Sequence, residues 1–313
     1  MKIVFFGTSD VGLPTLEKLV QHHEVVGVVT SPDALVGRKQ VLTPSPIAER
    51  AQQLGLHILK PEKVKNNPEI LEQLKSLAAD IYIVVSYGKI LPKELIDTPP
   101  LKTLNIHFSL LPQYRGAAPI QSALKNGDAT TGTTIFILDE FMDHGPVLAQ
   151  VAEDIKPDDT FSTLAQRMAE ISANKLIEIL PAYQNGELTP KEQNHDLATK
   201  APMIKKEDGR IDWSKPAQDI YNTWRAYQPW PGIYTTWNNK FFKILMCMPV
   251  TSLDEPKDLF NPLPAGTVFQ GQYIACGNGT FLELISIQPE GKQPMDIKSF
   301  LNGNKDFIDS TLL

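Results

Sequence analysis

The first half of the chain alternates between short apolar runs and stretches whose apolar residues recur at helical spacing. Ile3–Phe6 is an apolar run that stops at Gly7-Thr8-Ser9, which reads as a buried strand entering a tight turn. Leu13, Leu16, Leu19 and Val20 then follow a helical period. Val25–Val29 is a β-branched run ended by Thr30-Ser31-Pro32, a second strand. The three elements form a βαβ unit, and the right-handed crossover rule makes its strands parallel. The pattern repeats with a helix over Pro46–Gly55, a short strand at His57–Leu59, a helix over Pro68–Ala78, and strands at Ile81–Ser86 and Leu104–Phe108. Such alternation predicts an open, mainly parallel α/β sheet covered on both faces.

After Gly132 the pattern changes. Thr133–Leu138 and Val147–Ile155 read as paired strands around the turn MDHGP, and Phe161 to about Leu180 reads as one long amphipathic helix. Gln184–Pro202 is polar and weakly patterned, which predicts a linker. Beyond it, GIYTTW, KFFKILMCMPV, GTVFQ and YIACGNGTFLELISIQP are short strands punctuated by Gly, Pro and Asn, the mark of a small antiparallel barrel or sandwich.

Length and composition add limits. The 313 residues suit two domains; the apolar share is 42% and the charged share 21%, ordinary values for a globular protein. A net charge of −6 gives no global positive field, so a nucleic acid partner has to be met by local basic patches. The two cysteines, Cys247 and Cys276, have no metal-ligand spacing and read as buried thiols of a reducing compartment. The opening MKIVFFGT is too brief for a signal peptide, and no apolar segment approaches membrane-spanning length. A cytoplasmic protein that binds neither membrane nor metal is expected.

Three segments carry candidate chemistry. In NIHFSLLPQYRGAAP, Asn105 and His107 are two residues apart and share one face of a strand. Near the carboxyl end of a parallel strand they point to where open α/β sheets bind ligands. An amide donor stabilises an oxyanion, and an imidazole moves a proton near neutral pH; together they suit addition to a carbonyl, or else they close the strand end as a hydrogen-bonded pair. Arg115 reads either as a carboxylate or phosphate ligand or as a surface cation. In DEFMDHGP, Asp139, Glu140 and Asp143 each qualify to orient His107, and the residues alone do not choose among them. In VVSYGKILP a buried strand ends at Tyr87-Gly88, where glycine allows either close approach of a flat ligand or a plain strand-to-helix turn. GTSDVG lacks the GxGxxG spacing, and no acid clearly ends the second strand, so nicotinamide chemistry is disfavoured.

These motifs, taken in order, resemble the methionyl-tRNA formyltransferase family along essentially the whole chain. NIHFSLLPQYRGAAPIQ and the downstream MDHGPVL carry most of the likeness. FFGTSDVGLPTLEKL, LTPSPIAERAQQLG and VVSYGKILP look like the family's first βα unit, its following loop and its folate-contacting segment; APMIKKEDGRIDW, YQPWPGIYT and QPEGKQPMDIKSFLNG resemble its linker and C-terminal domain. The resemblance implies a Rossmann-like formyltransferase sheet over residues 1–188, a linker over 189–206 and an OB-like tRNA-binding barrel over 207–313. It implies formyl transfer from 10-formyltetrahydrofolate to the α-amine of methionyl initiator tRNA. No surface stripe stands out as a dimer seam, so a monomer is expected. Asn105, His107 and Asp143 match the family's catalytic triad. Ser109, Leu110, Leu111 and Pro112 match its tetrahydrofolate segment, joined by Tyr87 and Gly88. Arg38 and Lys39, in the loop after the second strand, and Lys200, Lys205, Lys206 and Arg210 are expected to meet tRNA phosphates. Two features depart from the family pattern: the loop SPDALVGRKQVLTPSP is less basic, and His144 stands where a small residue or threonine is more usual. The alternatives are an N-formyltransferase acting on a sugar nucleotide or other small amine, a formyltetrahydrofolate hydrolase, and a noncatalytic RNA-binding relative.

Overall fold

A computed structural model describes residues 1–37, 40–250 and 263–313, which fall into two compact units. The first comprises Met1–Pro119, Thr130–Asp154 and Thr163–Pro202, and the second Ile120–Ala129, Ile155–Ser162 and Met203–Leu313.

In the first unit the strands are β1 (Lys2–Gly7), β2 (Glu24–Val29), β3 (Ala34–Val36), β4 (Val41–Thr43), β5 (Ile58–Leu59), β6 (Ile81–Val85), β7 (Thr103–His107), β8 (Arg115–Gly116), β9 (Thr130–Ile137), β10 (Val147–Asp154) and β11 (Lys200–Ala201). Seven of them form one sheet in the order β10-β9-β7-β6-β1-β2-β5. β5, β2, β1, β6 and β7 run parallel, while β9 and β10 close that edge antiparallel. This is the expected open, mainly parallel sheet. β1 and β6 are apolar almost throughout because both of their faces are covered; Ile3, Phe5, Phe6, Ile81, Ile83 and Val85 are fully buried.

Helices α1 (Leu13–His22), α2 (Pro46–Gln53), α3 (Pro68–Ser76), α4 (Lys93–Ile96), α5 (Pro119–Asn126) and α6 (Phe161–Gln184) connect or follow these strands. Their starts follow local chemistry. Ser45 Oγ accepts from the Ala48 N–H at the head of α2, and Asn67 Oδ1 accepts from the Ile70 N–H at the head of α3. Pro46 and Pro68, with their fixed φ and no N–H, open those same helices. The hairpin β3–β4 is exposed along both strands and shows no apolar alternation.

The second unit holds α7 (Ala217–Tyr227), β12 (Ile233–Trp237), β13 (Lys240–Val250), β14 (Val268–Phe269), β15 (Tyr273–Ala275), β16 (Phe281–Pro289), β17 (Met295–Asp296) and α8 (Ile297–Gly303). Among the described residues its strands form one antiparallel sheet in the order β12-β13-β16-β15-β14, with β17 also on β16. Trp237, Phe242, Phe300 and Phe307 make its aromatic core, with ring centroids 5.2–5.6 Å apart. No helix among the described residues is long and apolar enough to cross a membrane.

Candidate active site

The candidate site lies at the carboxyl end of β7. Asn105 pairs across the sheet with Val84 and Phe136, and His107 pairs with Thr134, so both side chains leave the same face of a strand fixed on each side. Asn105 is half-buried and His107 only 6% exposed.

The two nitrogens of His107 face different groups. Nε2 lies 2.9 Å from the Tyr114 carbonyl oxygen. A carbonyl only accepts, so Nε2 carries a hydrogen and donates it. Nδ1 faces Asp143 Oδ2 at 3.6 Å, longer than a hydrogen bond. Asp143 is 9% exposed and sits at φ +50°, a left-handed conformation that Asp tolerates better than most residues. Its Oδ2 also accepts the Gly116 N–H at 2.7 Å.

The geometry distinguishes the three acids of DEFMDHGP. Asp139 Oδ2 binds His144 Nδ1 at 2.6 Å and its Oδ1 accepts the Phe141 N–H at 2.9 Å. Glu140 is exposed. Only Asp143 turns onto His107. His144 neither faces His107 nor stands alone: its ring stacks on His195, with centroids 4.0 Å apart and planes 5° from parallel.

The segment after His107 is pinned from beneath. Ser109 is fully buried; its hydroxyl donates to the Gln113 carbonyl at 2.6 Å, and its own carbonyl accepts from Thr134 Oγ1 at 2.6 Å. Thr134 Oγ1 also accepts the Leu111 N–H at 3.0 Å, and Gln150 donates to the Leu111 carbonyl at 2.8 Å. These bonds shape Leu110, Leu111 and Pro112 into a stiff apolar turn. At the end of β6, Gly88 takes φ +79° and a Cβ there would meet open space, so the turn needs glycine for its backbone angle. The Tyr87 ring is 2% exposed and packs edge-on against Phe6, and burial pushes its hydroxyl pKa up to about 12. What Tyr87 offers a ligand is therefore main chain, and its carbonyl already accepts from Thr8 Oγ1 at 3.1 Å. The Gly7-Thr8-Ser9 turn thus ties the ends of β1 and β6 together.

Arg115 is turned inward. One of its terminal nitrogens donates to Gln193 Oε1 at 2.6 Å and lies 2.8 Å from His195 Nδ1. The segment expected to be a linker is bonded to the residues around the site. Lys191 bridges to Val147, Gln193 Nε2 donates to the carbonyls of Asp143 and Gly145, Thr199 Oγ1 accepts the Tyr114 N–H, and β11 pairs with β8. Gln193 and Thr199 lie in a stretch with no periodicity, so no sequence signal pointed to them.

Lys200, Lys205, Lys206 and Arg210 are all exposed. Lys205, Lys206 and Arg210 share their stretch with Glu207 and Asp208, and Asp208 Oδ2 accepts the Lys205 N–H at 2.7 Å. Arg38 and Lys39 lie outside the described residues. Among the described residues no group of three or more His, Cys, Asp or Glu side chains is placed to hold a metal ion.

Comparison with known proteins follows the same division. The family described as Formyl transferase matches residues 1–180, and the family described as Formyl transferase, C-terminal domain, matches residues 203–305. The methionyl-tRNA formyltransferase of Acidobacterium capsulatum is 42% identical over 306 residues, which cover 97% of each chain. That of Koribacter versatilis is 43% identical over 306 residues, covering 97% of this chain and 96% of its own. Among solved structures, a sugar 3N-formyl transferase determined in the presence of dTDP and 5-N-formyl-THF has a TM-score of 0.66 at 17% identity, covering 94% of this chain and 99% of that one. An N-formyltransferase from Helicobacter canadensis, in complex with folinic acid and dTDP-3-aminofucose, has a TM-score of 0.64 at 18% identity, covering 92% and 99%. At such identities the structural likeness shows the fold alone.

Proposed function

The chain belongs to the formyl transferase family, and we propose that it moves the formyl group of 10-formyltetrahydrofolate to the α-amino group of methionyl initiator tRNA, in support of translation initiation. The observation that carries the chemistry is the convergence of Asn105, His107 and Asp143 at one strand end, with Asp143 Oδ2 3.6 Å from His107 Nδ1. The acceptor follows from relatives above 40% identity along almost the whole chain, all named for methionyl-tRNA. A sugar-amine acceptor has only a shared fold in its favour.

The residues present fit a folate. Gly88 presents main chain, and the half-buried Leu110 and Pro112, flanking the buried Leu111, offer a stiff apolar wall for a flat ring. The neutral α-amine attacks the formyl carbon, forming a C–N bond and placing negative charge on the formyl oxygen. The Asn105 amide donates to that oxygen. His107 helps through Nδ1, because Nε2 is already committed to the Tyr114 carbonyl. Protonated at Nδ1, the imidazolium presents positive charge to the oxyanion, and Asp143 orients the ring. As the intermediate collapses, the bond from the formyl carbon to folate N10 breaks. The amine proton passes to the Asp143 carboxylate, directly or through water, and N10 takes the proton of His107 Nδ1, which Asp143 then restores.

We assign catalysis to residues 1–188 and tRNA contact to 207–313, with Lys200, Lys205, Lys206, Arg210, Arg38 and Lys39 facing phosphates. The enzyme acts as a monomer in the cytoplasm, where charged tRNA and reduced folates meet. Release of tetrahydrofolate, followed by absorbance, tests the reaction class. It is expected only when charged methionyl initiator tRNA is added. Release at the same rate without an acceptor would mean hydrolysis and would overturn the transfer reading.

A further inference from the structure

We infer that Gln193 is a positioning residue for formyl transfer: it holds the Asp143 loop in the conformation that sets the carboxylate against His107, and Arg115 holds Gln193 in turn. The inference rests on the reading of Asp143 as catalytic.

Gln193 is the one buried residue between Gln184 and Lys200, a stretch otherwise exposed or half-buried. Its burial serves no apolar contact that the sequence pattern would call for. Instead the carboxamide is spent on the catalytic loop. Nε2 donates to the Asp143 carbonyl at 3.0 Å and the Gly145 carbonyl at 2.8 Å, using both of its hydrogens. Oε1 accepts from Arg115 at 2.6 Å. A guanidinium only donates, so Arg115 fixes which end of the carboxamide is oxygen and points the nitrogen at the loop.

Asp143 stands at φ +50°, a left-handed conformation that Asp tolerates but that its surroundings have to hold. Its side chain is tethered by the Gly116 N–H on one side and its main chain by Gln193 on the other. Both tethers lead to the same pair of segments, since Arg115 and Gly116 pair in register with Lys200 and Ala201. His107 is fixed through the same frame: the Tyr114 carbonyl that accepts from Nε2 belongs to a residue whose N–H is bound by Thr199 Oγ1 at 2.8 Å. The strap 191–201 therefore sets the His107–Asp143 separation from both ends. The Nδ1–Oδ2 distance matters to the reaction, and a shift of about 1 Å at a reacting group costs on the order of 10²-fold in rate.

The test is a double-mutant cycle in the full-length enzyme with 10-formyltetrahydrofolate and charged initiator tRNA. Gln193→Met keeps length and removes the donors. It is expected to lower kcat by roughly 10- to 100-fold, with KM for both substrates within about twofold. In an Asp143→Asn background the same substitution is expected to change kcat by less than about twofold, because the group it positions is already lost. An equal loss in both backgrounds, a loss confined to KM, or no loss would each overturn the positioning role. If Gln193→Met fails to fold, Arg115→Lys probes the same coupling from the other end, and the same non-additivity is required of it. An Asp143→Asn enzyme at wild-type rate would instead sink the catalytic reading itself, so the two failures are distinguishable.

Discussion

His107 Nδ1 and Asp143 Oδ2 face each other across 3.6 Å, while His107 Nε2 is bound to the Tyr114 carbonyl. The imidazole therefore has one nitrogen fixed by the fold and one open to chemistry.

Asn105→Ala removes the amide assigned to the oxyanion. Losing one such donor typically costs ~10²–10³ in rate. The expected result is a fall of that size in kcat with tetrahydrofolate affinity within about twofold, read by steady-state kinetics beside equilibrium folate binding. Turnover near wild type would remove Asn105 from the mechanism.

Gly116→Ala disturbs Asp143 from its other side. Gly116 has φ +128°, and a Cβ there would collide with the Ala201 carbonyl oxygen, backbone that cannot swing aside. A destabilisation of about 1–3 kcal/mol is expected from backbone strain, together with a loss of kcat as the N–H to Asp143 shifts. Thermal unfolding and kinetics on the same preparation check both; a variant with unchanged melting temperature and rate would contradict the account of this turn.

Neutralising Lys200, Lys205, Lys206 and Arg210 together should weaken tRNA binding and flatten its dependence on salt. Each phosphate contact contributes close to one unit to the slope of log K against log salt. Glu207 and Asp208 beside these cations make a slope change smaller than four units the expected outcome. An unchanged slope would mark the segment as solvated surface.

Cys247 and Cys276 are both buried, and burial raises both thiol pKa values, that of Cys276 to about 12. At pH 8 a thiol of that kind is about 10⁻⁴ ionised. Neither should react quickly with a colorimetric disulfide reagent in the folded enzyme, and both should react after denaturation. Because folding raises these values, their contribution to stability is full below the ordinary thiol range and fades as pH climbs toward about 12. Rapid reaction of either thiol in the native state at pH 8 would contradict the packing described.

Much of this was legible in the residue pattern. The β7 placement of Asn105 and His107 follows from a two-residue period on an apolar strand, and the parallel order of β1, β2, β6 and β7 follows from alternating periods. The choice of Asp143 over Asp139 and Glu140 rests on the resemblance of MDHGPVL and is not readable from the residue pattern, because it depends on which carboxylate the turn aims inward. Asp139 is taken by His144, whose stacking on His195 brings together residues 51 positions apart in sequence. The role of residues 191–201 was hidden for a related reason. A strap that binds through side-chain amides, hydroxyls and two residues of β-pairing carries no apolar period, so Gln193 looks like any other polar residue of a linker. The hairpin β3–β4 is exposed on both strands and leaves no alternation to read.

The most direct measurement is formyl transfer from 10-formyltetrahydrofolate with charged initiator methionyl-tRNA, elongator methionyl-tRNA and free amino sugars assayed side by side. Rapid formylation confined to the initiator tRNA is the predicted result. Formylation of a sugar amine alone, or of no acceptor at all, would contradict it.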